Sequence, residues 1–154
     1  MSNLTTLSEG FANKINSLET KIEKLSLTSA EFLALSTKNY DITDFPLPNV
    51  LLLPVFFYGT CIFGGIPYNP NGGNALLFYS SISIGVDSGI GQMGYFGFVD
   101  QLENWLSYGT LTAFNGGLAR SKGSRLVIGN PGGANALAGN GSINFYVGYK
   151  EILL

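Results

Sequence analysis

Val50-Leu-Leu-Leu-Pro-Val-Phe-Phe-Tyr-Gly-Thr-Cys-Ile-Phe-Gly-Gly-Ile66 is a run of 17 residues without a charge. Its length is close to the minimum for a helix crossing a bilayer. Its contents argue against such a helix. Pro54 would remove a helical hydrogen bond and clash with the preceding turn. Gly59, Gly64 and Gly65 each disfavour a helix interior, while Val55, Phe56, Phe57, Tyr58 and Ile62 suit a pleated, half-buried surface. No Lys or Arg lies between Lys38 and Arg120 to orient a span. The run reads as buried strand, and no membrane insertion is expected.

The charge-free zone is wider than this run. No Asp, Glu, Lys or Arg occurs from Phe45 to Val86, and beyond it only Asp87, Asp100, Glu103, Arg120, Lys122, Arg125, Lys150 and Glu151 are charged. Of 21 glycines, all but Gly10 follow Phe45. Charged residues make up 12% of the chain, about half the usual share in soluble domains. A surface so poor in charge is expected to be covered, most simply by identical subunits. The net charge of −2 offers no electrostatic footprint for nucleic acid. Cys61 is the single cysteine and has no intrachain disulfide partner, so it reads as a small buried hydrophobe. Met1-Ser-Asn-Leu-Thr-Thr6 has neither a basic nor an apolar segment, so no signal peptide is expected.

Before Asp44 the sequence has a different rhythm. Leu4, Phe11, Leu18 and Leu25 are seven apart, with Ser8, Ile15 and Ile22 four residues after the first three. Taken as d and a positions they form three heptads of a coiled-coil seam, with Lys14 and Glu19 spaced to pair between helices. Leu4, Phe11, Ile15, Leu18, Ile22 and Leu25 are therefore the expected oligomerisation residues. Ile at a with Leu at d leans toward a dimer. Lys14-Ile-Asn-Ser-Leu-Glu19, however, resembles the trimer-favouring pattern of short coiled coils, and a trimer is the reading adopted. Thr28 or Ser29 followed by Glu31 marks a helix start, predicting a short second helix through Phe32, Leu33 and Leu35. The chain thus divides into a helical stem (1–38), a proline-containing linker (39–48) and a head (49–154).

In the head, segments rich in β-branched and aromatic residues at 50–58, 60–66, 75–86, 94–99, 105–114, 124–129 and 142–153 are separated by Gly, Asn and Pro clusters. Ser142-Ile-Asn-Phe-Tyr-Val-Gly-Tyr-Lys-Glu-Ile152 alternates, placing Ile143, Phe145, Val147 and Tyr149 on one face. Asp100 to Leu106 predicts a single helical turn. The fold class is mainly β, a β-sandwich or jelly-roll-like head on an α-helical coiled-coil stem, homotrimeric. The apolar end Glu151-Ile-Leu-Leu154 is expected to be buried. Two similar loops, Pro70-Asn-Gly-Gly-Asn-Ala-Leu76 and Asn130-Pro-Gly-Gly-Ala-Asn-Ala-Leu137, read as shared turn chemistry.

The chain has no histidine, which excludes Ser/His/Asp and Cys/His arrangements and histidine metal sites. Asp100 and Glu103 read as an N-cap and a solvated carboxylate rather than a glycosidase pair. No enzyme activity, cofactor or metal is expected. Arg120-Ser-Lys-Gly-Ser-Arg125 is the only basic cluster of the head. It reads as a solvated turn by default, and as a site for phosphate or acidic sugar if repeated about an axis. Trp105, Tyr108, Tyr68 and Tyr95 offer an apolar ring with a polar handle, the type of surface on which sugars stack. Trp105, Tyr108, Arg120, Lys122 and Arg125 are the candidate ligand-binding residues.

A short N-terminal coiled coil, an X-Pro linker and a Gly-rich β head resemble, in layout, bacteriophage tail-fibre, baseplate receptor-binding and head-fibre proteins. The resemblance implies a homotrimer on the virion, bound to other virion proteins through the stem and to host-surface saccharide through the head. The small size departs from that family, with no separate attachment domain. A purely structural virion protein and a cellular trimeric lectin-like module of C1q/TNF layout are the alternatives.

Overall fold

The alternating segment near the C-terminal end forms the central element of the structure, a computed structural model describing residues 9–10, 13–15, 17–68, 74–81, 85–94, 105–111, 122–130 and 137–154. This segment is β9 (Ser142–Leu153). Ile143, Phe145, Val147 and Tyr149 turn inward as expected and are buried. On one side β9 pairs antiparallel with β3 (Val50–Ile62), from Val50 opposite Leu153 to Ile62 opposite Ser142. The segments expected at 50–58 and 60–66 are thus largely one strand. Gly59 does not break it, because both neighbours, Tyr58 and Thr60, continue the ladder to β9. The register shifts between Pro54 and Phe56, leaving Val55 as an extra residue. A bulge there accommodates a proline that has no N–H to give the ladder.

On its other side β9 pairs with β1 (Lys21–Leu27), Lys21 opposite Tyr149 through to Leu27 opposite Ile143. β6 (Trp105–Tyr108) pairs with β3 and completes a four-stranded sheet in the order β1-β9-β3-β6. The second sheet has the order β2-β8-β4-β5-β7. Its strands are β2 (Tyr40–Asp41), β8 (Arg125–Gly129), β4 (Asn74–Ser81), β5 (Gly85–Gly94) and β7 (Thr110–Leu111). Every pairing in both sheets is antiparallel.

Inward residues of both sheets meet in a single apolar cluster. Leu51, Phe57, Cys61, Ile143, Phe145 and Val147 come from the first sheet, and Ala75, Leu77, Tyr79, Leu126 and Ile128 from the second. The helix expected after Thr28 is present as α1 (Ser29–Leu33). Thr28 is extended and accepts from the Glu31 N–H, while the Glu31 carboxylate accepts from the Thr28 N–H at 2.9 Å and its hydroxyl at 2.8 Å. These bonds hold the Glu31 carboxyl below the usual carboxylate range. The cap aims Phe32 into the core, edge-on to Tyr68 at 4.9 Å and 6.4 Å from Phe145. Phe145 stacks in turn on Phe57 at 5.8 Å. The buried Tyr79 hydroxyl donates to the Leu52 carbonyl and ties β4 to β3.

The coiled-coil stem is not what the N-terminal part forms. Among the described residues, 9–10, 13–15 and 17 are helical, and the chain bends at Leu18. The Leu18 N–H donates to the Ile15 carbonyl at 3.2 Å, and the Lys150 ammonium reaches the same oxygen at 3.0 Å, capping the turn. Ile22 and Leu25, read as coiled-coil seam residues, lie in β1 on opposite faces. Leu25 packs against the core, whereas Ile22 is 61% exposed. Leu4 and Phe11 lie outside the described residues. Three heptads are marginal on their own, whereas a strand here supplies the second hydrogen-bonded neighbour that β9 requires. Lys21, Glu23 and Lys24 suit the edge position, since charge discourages pairing with another chain.

Candidate functional site

Alternation decides what the outer face of the four-stranded sheet carries. The inward residues of β9 and β3 leave Asn144, Tyr146 and Gly148 of β9 and Phe56, Tyr58 and Thr60 of β3 facing away from the core. Ile22, Lys24 and Ser26 of β1 continue the same rows, because Lys24 is opposite Tyr146 and Ser26 opposite Asn144. Two rows matter. In the first, the Tyr58 and Tyr146 rings stack at 4.7 Å and 13°, and Lys24 Nζ lies 5.8 Å from the Tyr146 ring centroid. Phe56 stacks on Tyr58 at 5.8 Å and lies over Gly148, where an added Cβ would strike its ring. Gly148 is thus required for a close approach.

The second row is polar. Ser26 Oγ donates to Asn144 Oδ1 at 2.7 Å, and Asn144 Nδ2 donates to Thr60 Oγ1 at 3.5 Å. Asn144 is buried, and these bonds leave the Thr60 hydroxyl hydrogen and the lone pairs of the exposed Ser26 unused by it. The ring faces of the first row are used mainly against each other, so the strip presents ring edges, the Tyr146 hydroxyl and the Lys24 ammonium. Lys24 has no carboxylate partner among the described residues. This face gathers an amine, hydroxyls and aromatic edges on paired strands.

The residues expected at the site are placed differently. Trp105 and Tyr108 belong to β6, their backbones opposite Cys61 and Tyr58. Their side chains, with Arg120, Tyr95, Asp100 and Glu103, lie outside the described residues. Lys122 is exposed in the turn before β8. Arg125 pairs with Asp41 at 2.6 Å and its guanidinium lies 4.4 Å from the Phe45 ring centroid, so it clamps residues 41–45 onto β8. Tyr68 is buried, and its hydroxyl donates to the Gly141 carbonyl, so its ring cannot meet a sugar. Burial pushes the Cys61 thiol up, as suits an inert core cysteine. The sequence reading missed the Lys24–Tyr146–Tyr58 row. The signal for it lay in the even positions of 142–150, which are as ordered as the odd ones that marked the core.

Ile15 and Leu18 line an open recess of about 240 Å³ with Lys14, Glu151, Ile152 and Leu153. Glu151 also pairs with Lys21 at 2.8 Å. Among the described residues no three His, Cys, Asp or Glu side chains are grouped as metal ligands, and no helix is long and apolar enough to cross a membrane.

No family model matches the chain, and no curated protein matches it in sequence. Among solved structures, a chain of the cyanophage Pam1 capsid asymmetric unit aligns over 87% of this chain and 84% of its own, with a TM-score of 0.40 and 9% identity.

Proposed function

We propose that this protein is a non-enzymatic component of a phage particle surface, of the fibre or receptor-binding kind, whose β head contacts saccharide on the host. The observation that carries the saccharide reading is the outer strip of Lys24, Tyr146, Tyr58, Asn144 and Thr60, polar but nearly uncharged and built on paired strands. The Gly-rich, charge-poor head supports the virion setting. In this reading the two sheets pack as a jelly-roll-like sandwich and other virion proteins are its partners.

A second reading, a structural virion protein without receptor binding, is favoured by the exposed apolar residues Leu47, Leu153 and Leu154 at one end of the β3–β9 pair and Ile62, Ile66 and Leu137 near the other. Binding of the labelled full chain to a panel of immobilised bacterial surface saccharides separates the two. Capture by at least one saccharide, lost in Asn144→Leu, is expected. A folded protein that binds none of them sinks the receptor reading.

A further inference from the structure

Building on the saccharide reading above, we propose that the outer face of the four-stranded sheet recognises an acidic saccharide, with Lys24 taking its carboxylate. The argument is one of charge and donor complementarity. Among the described residues of the rows formed by Ile22, Lys24 and Ser26 with Phe56, Tyr58, Thr60, Asn144, Tyr146 and Gly148, Lys24 is the only ionised side chain; Lys150, the next even position of β9, is held on the Ile15 carbonyl at 3.0 Å. The neighbours that bracket it in sequence, Glu23 and Leu25, alternate to the other side of β1. Its ammonium hangs beside the Tyr146 ring at 5.8 Å. Lys24 is exposed, so the ammonium remains open to solvent there.

The adjoining groups fit a sugar rather than a bare anion. One row over, Asn144 is fixed from both sides by Ser26 and Thr60. Its two bonds set the Thr60 hydroxyl to donate and the Ser26 oxygen to accept, a mixed pattern that matches vicinal sugar hydroxyls. The Tyr146 hydroxyl makes no hydrogen bond among the described residues, and Tyr146 stands directly opposite Lys24. Lys24 and Tyr146 stand opposite each other on strands about 4.8 Å apart, and the Ser26–Asn144–Thr60 row lies two residues further along, about 6.8 Å away. An amine and a phenol at one row and a mixed donor–acceptor pair at the next span about the width of one carboxylated pyranose.

Calorimetric titration of the full-length protein with an oligoglucuronate, and with its carboxyl-reduced neutral counterpart of the same linkage, tests this. The acidic oligosaccharide is expected to bind more tightly, with Lys24→Ala weakening it about fivefold at low salt, an effect that shrinks as ionic strength rises. Lys24→Arg is expected to restore most of the affinity. Lys24 is exposed, so its replacement leaves the fold intact. Equal binding of the two oligosaccharides, or an unchanged affinity in Lys24→Ala, overturns the acidic class while leaving saccharide binding standing. Binding of neither overturns both.

Discussion

Tyr79 carries more of the fold than its single hydroxyl suggests. It lies on β4, is 1% exposed, and donates to the Leu52 carbonyl of β3 in the other sheet. Burial pushes its phenol well above the ordinary tyrosine range, since desolvation disfavours the phenolate. Tyr79→Phe keeps the ring in place but leaves that carbonyl, at a bulged part of β3, without this donor. A buried acceptor deprived in this way costs about 1–3 kcal/mol. Chemical denaturation should show a lower midpoint with an unchanged slope, because the surface exposed on unfolding is the same. An unchanged midpoint would mean that the two sheets do not depend on this tie. Gly139 constrains the neighbouring corner differently. At φ +100° its missing side chain leaves room for the Tyr68 ring, which an added Cβ would strike.

At the scale of elements, the segment 21–27 tells most. Its residues satisfy two patterns at once: Ile22 and Leu25 continue the coiled-coil repeat of Leu18, while Leu25 and Leu27 alternate as in a strand. The strand wins because its seven register positions against β9 are available within the same chain. A helical seam would need a partner helix from another subunit. The two forms respond oppositely to mutation. Leu27→Asp places a charge at a 2% exposed position beneath β9 and should destabilise by several kcal/mol, whereas Ile22→Asp, at an exposed edge, should change stability by less than about 0.5 kcal/mol. Thermal melts of the two variants measure this directly. A large loss from Ile22→Asp would restore the seam.

The same contrast explains how much of the fold was legible. β9, α1 and the strand character of 50–62 were readable because alternation, a capping box and a β-branched, aromatic run are local signals. β5 was not, since Gly85, Gly89, Gly91 and Gly94 give Gly85–Gly94 little strand preference of its own, and only pairing with β4 makes it a strand. β1 was misread because an edge strand loaded with charge imitates a polar helix face. The candidate site was missed for a related reason: the run holding Phe56 and Tyr58 reads as buried strand, and nothing local in the sequence sets Tyr146 of β9 beside Tyr58 of β3.

At the scale of the whole molecule, the deficit of charge needs a physical outlet. The described surface leaves Leu47 70% and Leu153 71% exposed, with Phe45 and Leu154 nearby in the chain, while Ile62, Ile66 and Leu137 are about half exposed. The Leu154 N–H donates to the Asn49 carbonyl and the Val50 N–H to the Leu47 carbonyl, so Leu47, Leu153 and Leu154 sit at one end of the β3–β9 pair. Ile62 stands at the other end, opposite Ser142, and Asn140 donates to the Ile66 carbonyl beside it. Apolar residues concentrated at the ends of a strand pair, with a polar strip between them, favour association that covers the ends and spares the strip. Self-association of copies through these ends is expected, held by the head rather than by a coiled coil. Sedimentation equilibrium should then give a multiple of the 16.4 kDa chain mass. Leu47→Ser with Leu153→Ser should shift it toward monomer while leaving saccharide affinity unchanged. A monomer at all concentrations would mean that the scarcity of charge reflects something other than self-association, and loss of saccharide binding in the double variant would place the binding face at the ends rather than on the sheet.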